Sequence, residues 1–201
     1  MIIIDDFFPK DIQEMLFYQT EKLDFKYYED TVGKKFRTFS NKKSSCPQIT
    51  HSLFHEWQPE YDSFEDVFKL FKEYGKRSLR DLGNELFNNQ YDGRLKLYRM
   101  KVNGLFQRKE KAYHYPHTDW KLNDAGMTAL YYVNDSDGPT YLFNEFYKDN
   151  PKKLTVYKKI PPKMGRMVVF EATRYHASSS PIKSSTRFVF NIVCGMNDQI
   201  G

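Results

Sequence analysis

Tyr115-Pro116-His117-Thr118-Asp119-Trp120 is the stretch on which the reading of this chain turns. Along an extended strand the side chains alternate, so His117 and Asp119, two residues apart, share one face. A neutral imidazole beside a carboxylate is two-thirds of the 2-His-1-carboxylate set that holds non-haem Fe(II) and leaves coordination positions open. The pair is short, and its weight comes from the sequence around it.

Downstream, apolar runs alternate with turns. Residues 128–133 read as a strand ended by the turn-forming Asn134-Asp135-Ser136-Asp137-Gly138-Pro139. Residues 141–143, 154–160, 166–170 and 187–193 read as further short strands. This region holds one imidazole to complete the triad, His176, in the polar run Glu171-Ala172-Thr173-Arg174-Tyr175-His176-Ala177-Ser178, which reads as a turn after an apolar strand. Arg187 then opens the apolar strand Phe188-Val189-Phe190-Asn191-Ile192-Val193. A guanidinium there is costly to bury unless a carboxylate or phosphate meets its planar fork; otherwise it points to solvent.

Upstream, the pattern is different. Residues 2–4 read as a buried strand, and Pro9 suits the first turn of a helix with a stripe of Ile12, Met15, Leu16 and Gln19. Residues 26–59 break up into loops with a hairpin, made basic by Lys34, Lys35, Arg37, Lys42 and Lys43. Over 63–88 Phe64, Val67, Phe68, Phe71 and Tyr74, then Leu79, Leu82 and Leu86, fall at helical spacing. Ser63 with Asp66 resembles a capping box, and Gly75 divides the stretch into two helices. After the turn Tyr91-Asp92-Gly93, Leu95, Leu97 and Tyr98 open a strand, and residues 103–111 read as a polar, basic loop ahead of the His-x-Asp pair. Helices followed by many short strands predict an α+β fold: a jelly roll, or double-stranded β-helix, backed by N-terminal helices. The expected organisation is one domain over 1–201, with 1–90 mainly helical support and loops and 91–195 the jelly-roll core.

Composition narrows the function. The chain has 201 residues, enough for a sizeable core, and Phe 17 with Tyr 15 make that core ring-rich. A net charge of +5 suits an anionic small molecule or acidic surface without indicating nucleic acid. Two cysteines, Cys46 and Cys194, make neither a disulfide framework nor a thiolate metal site. No signal peptide and no membrane span are expected, which makes a cytoplasmic location the default.

Taken together, His117-x-Asp119, His176 and Arg187 resemble the Fe(II)- and 2-oxoglutarate-dependent oxygenases, most closely the prolyl 4-hydroxylase branch. The resemblance runs from about Leu95 to Gly195, and the opening Ile2-Ile3-Ile4-Asp5-Asp6-Phe7-Phe8 is similar to that branch's start. It implies that His117, Asp119 and His176 are iron ligands and that Arg187 pairs with the distal carboxylate of 2-oxoglutarate. Thr128-Ala129-Leu130-Tyr131-Tyr132-Val133-Asn134 is similar to the family's strand after the metal pair. By that match Tyr132 hydrogen-bonds the same carboxylate, Thr128 belongs to the cosubstrate region, and Tyr98 lines the pocket. Gly138-Pro139-Thr140 stands where the family carries a glycine-rich turn, and Lys163-Met164-Gly165-Arg166-Met167-Val168-Val169-Phe170 matches the strand before its second histidine. The implied cofactors are Fe(II), 2-oxoglutarate as cosubstrate, O2 and, as an accessory, ascorbate. The implied reaction is hydroxylation of a peptidyl C–H bond, prolyl by closest match, with release of succinate and CO2.

A peptide or protein partner ranks above a nucleobase or other small molecule, no membrane partner is expected, and oligomeric state stays open. A non-catalytic jelly-roll module is the remaining alternative. His114 competes in principle with His117 for the metal, and His51-x-x-x-His55 has metal spacing without helical periodicity. Trp120 either flanks the substrate entrance or packs at the strand end. Arg108, Lys109 and Lys111 are expected at the rim of the site, where they would steer an acidic substrate.

Overall fold

The computed structural model describes residues 1–30, 47–55, 64–89, 94–109, 113–121 and 125–197. In chain order the strands are β1 (Ile2–Ile4), β2 (Lys26–Tyr28), β3 (Gln48–His55), β4 (Arg94–Phe106), β5 (Ala125–Tyr132), β6 (Thr140–Phe146), β7 (Val156–Ile160), β8 (Met167–Glu171), β9 (Arg174–Ala177) and β10 (Thr186–Asn197). The helices are α1 (Lys10–Thr20), α2 (Phe64–Glu73) and α3 (Leu79–Leu86). They form a seven-stranded sheet of order β1-β8-β5-β10-β4-β3-β2 and a three-stranded sheet β7-β6-β9. Isolated bridges Tyr113↔Ser179 and His117↔His176 lay residues 113–117 along the free edge of β9. This is the double-stranded β-helix that the sequence predicts.

Alternation along the strands separates two apolar layers. Met100, Val102, Ala129, Tyr131, Phe188, Phe190 and Ile192 pack with Phe7, Phe8, Phe71, Leu79 and Leu82 on the helix-covered side of the large sheet. The rings meet edge to face, Phe8 with Tyr131 at 5.0 Å and Phe71 with Phe190 at 6.1 Å between centroids. Full burial of such side chains stabilises by roughly 1.5–3 kcal/mol each. On the opposite side, Leu130, Tyr132, Leu142, Ile160, Val168, Phe170 and Val189 fill the space between the sheets.

Helices α2 and α3 part at Gly75, where a Cβ would lie 2.6 Å from the Phe71 carbonyl oxygen and 2.7 Å from the Phe7 ring. Ser78 caps α3 by accepting the Asp81 N–H at 3.1 Å. The expected capping box at Ser63, the basic residues at 34–43 and the turn at 91–93 lie outside the described residues. Among those described, no helix is long and apolar enough to cross a membrane.

Four local expectations are corrected. The buried face of α1 is Gln13, Leu16 and Thr20, not the Met15 side, because the Gln13 side-chain amide donates to the Phe8 carbonyl at 2.8 Å. Strand β4 continues through Phe106, so Asn103, Gly104 and Leu105 are sheet and not loop: they pair with Val189, Phe188 and Arg187 of β10. His176 lies in the short strand β9, not a turn. His117 and Asp119 sit in an irregular segment that touches its neighbours in strand fashion through the Tyr113 and His117 bridges.

Candidate metal and anion site

Backbone pairing sets the two imidazoles side by side. His117 and His176 exchange both N–H···O=C bonds, each at 2.9 Å, and their ring centroids lie 4.4 Å apart. Asp119 is placed separately: its N–H and that of Trp120 both donate to the Ala172 carbonyl at 3.0 Å. An irregular segment can therefore aim its side chains as firmly as a strand, because its backbone is pinned to β9 and to Ala172 in the turn ahead of it.

The ring atoms are oriented for a metal. His117 Nδ1 lies 3.2 Å from the Tyr115 carbonyl and His176 Nδ1 3.1 Å from that of Arg174, which leaves Nε2 of each as the free donor. His176 Nε2 is buried with no hydrogen-bond partner, 3.4 Å from Asp119 Oδ2. Burial, reinforced by the neighbouring His176, pushes the His117 imidazole down to about 3, so it is the neutral, ligating form. Asp119 is held well below the usual carboxylate range: burial opposes its charge, but Arg99 and His176 outweigh it. The ligand atoms of His117, Asp119 and His176 all lie within 4.8 Å of one another. Two imidazoles and one carboxylate are the donor chemistry of a non-haem iron site, and the residues present fit that metal.

Asp119 is held from three sides. Arg99 Nη2 donates to its Oδ1 at 2.5 Å, while Thr128 Oγ1 at 2.9 Å and Asn191 Nδ2 at 3.3 Å donate to Oδ2. Arg99 also donates to Asn191 Oδ1 at 2.9 Å. Such partners fix the orientation of a ligating carboxylate. Thr128 thus acts on the metal ligand.

A cleft of about 510 Å³, part of it open to solvent, joins the triad to Arg187. Its walls include Leu105, Leu130 and Val189, and polar groups from Gln48, Lys101, Asn103, Thr140, Ser178 and Asn191. Arg187 is 2% exposed. It donates through Nε to the Gly138 carbonyl at 2.8 Å and through Nη2 to Thr140 Oγ1 at 2.7 Å, and no carboxylate among the described residues pairs with it. Gly138 permits this turn, since a Cβ there would lie 2.5 Å from the Ser179 carbonyl oxygen. The Tyr132 hydroxyl donates to the same Thr140 Oγ1 at 2.6 Å, and the Arg187 guanidinium carbon lies 5.4 Å from the centre of its ring. Tyr98 is stacked on Trp120, with ring centroids 4.5 Å apart.

His114 is occupied elsewhere, with Nδ1 3.0 Å from Ser178 Oγ and Nε2 3.1 Å from Ser180 Oγ. His51 lies in β3 with Nδ1 2.8 Å from the Asp24 carbonyl. Sequence reasoning missed Arg99, Lys101, Asn103 and Asn191. The signal was present as alternation: Arg99-Met100-Lys101-Val102-Asn103 places a polar group at every second position, and Arg187 and Asn191 share one face of their strand with Val189.

No family model matches this sequence, and no curated protein matches it. Solved structures do. An oxidoreductase of the 2OG-Fe(II) oxygenase family from Burkholderia pseudomallei superposes with a TM-score of 0.70 at 9% identity, over 98% of this chain and 85% of that one. The epimerase SnoN, solved with Fe3+, α-ketoglutarate and nogalamycin RO, gives 0.65 at 12% identity, over 96% and 78%. A Pseudomonas putida prolyl-4-hydroxylase gives 0.56 at 13% identity, over 98% and 92%. The chain has the fold of these proteins.

Proposed function

We propose that this protein is an Fe(II)- and 2-oxoglutarate-dependent dioxygenase that hydroxylates a C–H bond of a peptidyl residue, prolyl by closest resemblance. The observation that carries this reading is Arg187: a guanidinium buried between neutral partners, in the same cleft as two imidazoles and a carboxylate with metal-binding geometry. A buried charge without a counter-ion is costly, so the cleft is built for an anion. The solved relatives that hold or are named for iron and 2-oxoglutarate support the identity of that anion.

His117 Nε2, His176 Nε2 and an Asp119 carboxylate oxygen would hold the iron. Bound together, iron and 2-oxoglutarate supply oxygen activation coupled to oxidative decarboxylation, yielding succinate and CO2. Arg187 and the Thr140 hydroxyl would grip the distal carboxylate, with Tyr132 fixing the hydroxyl. Leu105, Leu130 and Val189 would flank the methylene carbons and keep water from them. A charge-assisted hydrogen bond of this kind contributes roughly 1.5–3 kcal/mol. Thr128, Asn191 and Arg99 would keep Asp119 ionised and pointed at the metal.

The test is succinate release from 2-oxoglutarate by the Fe(II)-loaded protein in air, alone and with a library of proline-containing peptides. The expected result is a slow basal release that rises with a subset of peptides and a mass gain of one oxygen on those peptides. Release that no peptide stimulates would overturn the peptidyl assignment.

A further inference from the structure

Lys101 lies on the cavity face of β4, opposite Asn191, at the level of the metal triad. Among the described residues its ammonium has no hydrogen-bond or ion-pair partner. Every other charged group lining the cleft or bonded to the triad has one: Asp119 has Arg99, and Arg187 has Gly138 and Thr140. A half-buried ammonium without a partner is costly in a site already rich in positive charge. Burial first, then the charge of Arg99, pushes the Lys101 amine down to about 7.

Charge balance says what Lys101 is not for. On the reading proposed above, the iron dication, Asp119, Arg187 and dianionic 2-oxoglutarate cancel. The 2-oxoglutarate carboxylates then have Arg187 at one end and the metal at the other. Arg99 is also left over by this count, but its Nη2 is taken by hydrogen bonds to Asp119 and Asn191. Lys101 remains as an unmatched cation facing the same space. Beside it, Asn103 accepts the Thr50 hydroxyl at 3.1 Å through Oδ1, which leaves its amide N–H groups as donors. One ammonium among neutral amides matches a singly charged carboxylate; a phosphate dianion would be left half-neutralised.

We propose that the primary substrate carries a carboxylate, and that Lys101 is the specificity-determining residue that binds it next to the metal. This rests on the oxygenase reading and deepens it: the hydroxylated C–H bond belongs to an acid, either a small carboxylic acid or a peptide with an acidic side chain beside the target carbon. The proposal also gives the surplus positive charge of the cleft a purpose.

The experiment uses the full chain loaded anaerobically with Fe(II), first without and then with saturating 2-oxoglutarate, the probes being added to the second sample. Trace acetylation at neutral pH, read at the peptide that carries Lys101 by mass spectrometry, reports how freely this amine reacts, with the surface lysines as the internal reference. Four probes compete for it: butyrate against butyramide for a small acid, and N-acetyl-glutamate amide against N-acetyl-glutamine amide for a peptide acid. Addition of 2-oxoglutarate alone is expected to change the Lys101 labelling rate by less than about twofold, whereas one of the two acids protects it roughly tenfold or more over its amide. Lys101→Met and Lys101→Gln should lose binding of that acid by a similar factor while their 2-oxoglutarate affinity stays within about twofold of wild type, which also shows that they are folded. Protection by 2-oxoglutarate itself would overturn the proposal and move Lys101 to the cosubstrate. Equal behaviour of acids and amides, including no protection by any probe, would overturn it as well. Failure of the wild-type protein to bind Fe(II) or 2-oxoglutarate would instead defeat the oxygenase reading.

Discussion

On β10, Phe188, Phe190 and Ile192 turn toward the helices, whereas Arg187, Val189 and Asn191 turn toward the cleft. On β4, Met100 and Val102 take the helix side, whereas Arg99, Lys101 and Asn103 lie on the cleft side. One face is a dry, ring-packed layer in which volume and shape decide the energy. The other gathers two unneutralised cations and a set of amides at a position where apolar side chains would pack better. The rings under the helices stabilise the sheet, and the stability they supply offsets the cost of a polar face held ready for ligands. Substitutions on the two faces should therefore fail in different ways.

The largest effect is expected on the cleft side. His117→Ala, His176→Ala and Asp119→Asn should each reduce 2-oxoglutarate turnover below detection while thermal unfolding stays close to wild type, as measured by succinate release and circular dichroism. Near-normal turnover in any one of them would dissolve the triad. On the helix side, Phe190→Ala should cost roughly 3–5 kcal/mol of stability by opening a cavity against Phe71 and Tyr131, read from denaturant unfolding. Its folded fraction should retain 2-oxoglutarate affinity.

Smaller effects sharpen the division. Arg187→Ala should weaken 2-oxoglutarate by about 2–4 kcal/mol, roughly thirtyfold or more, with iron affinity little changed. Tyr132→Phe should weaken it by only about 0.5–1.5 kcal/mol, since it loses one bond to Thr140. Acid should act through the buried imidazoles as well. Burial holds His114 and His117 at about 3, below the ordinary imidazole value, so on acidification the unfolded chain takes up their protons first. In metal-free protein their contribution is complete above about 6.5 and is lost as pH falls from there toward 3, and His114→Asn should flatten part of that slope. The smallest expected effect is at the basic residues that the sequence reading puts at the rim: Arg108→Glu with Lys109→Glu should lower substrate kcat/KM a few-fold at low salt and less at physiological salt, sparing substrate-free 2-oxoglutarate decay.

Much of this division was legible in the residues. The ring stripe of Phe71, Leu79 and Leu82 has helical spacing, and the strands after Thr128 alternate, so the helix-backed jelly roll follows from periodicity. The pairing of His117 with His176 does not, because it depends on two N–H···O=C bonds between segments almost sixty residues apart in an irregular edge. The true length of β4 was hidden by polar Asn103 and by Gly104, which read as loop until β10 is seen paired along them. Lys101 went unread for the same reason that it is informative: a lysine between Met100 and Val102 looks like the wet side of a strand. Only the opposing sheet shows that this side is the cleft.

The central claim is that the cleft binds 2-oxoglutarate between a metal and Arg187. Anaerobic calorimetric titration of 2-oxoglutarate into Fe(II)-loaded protein, metal-free protein and Fe(II)-loaded Arg187→Ala tests it directly. The account predicts one 2-oxoglutarate per chain in the Fe(II)-loaded protein, with affinity that falls sharply when either the metal or the guanidinium is removed. Absence of binding to the Fe(II)-loaded protein, or equal affinity in all three samples, would contradict it.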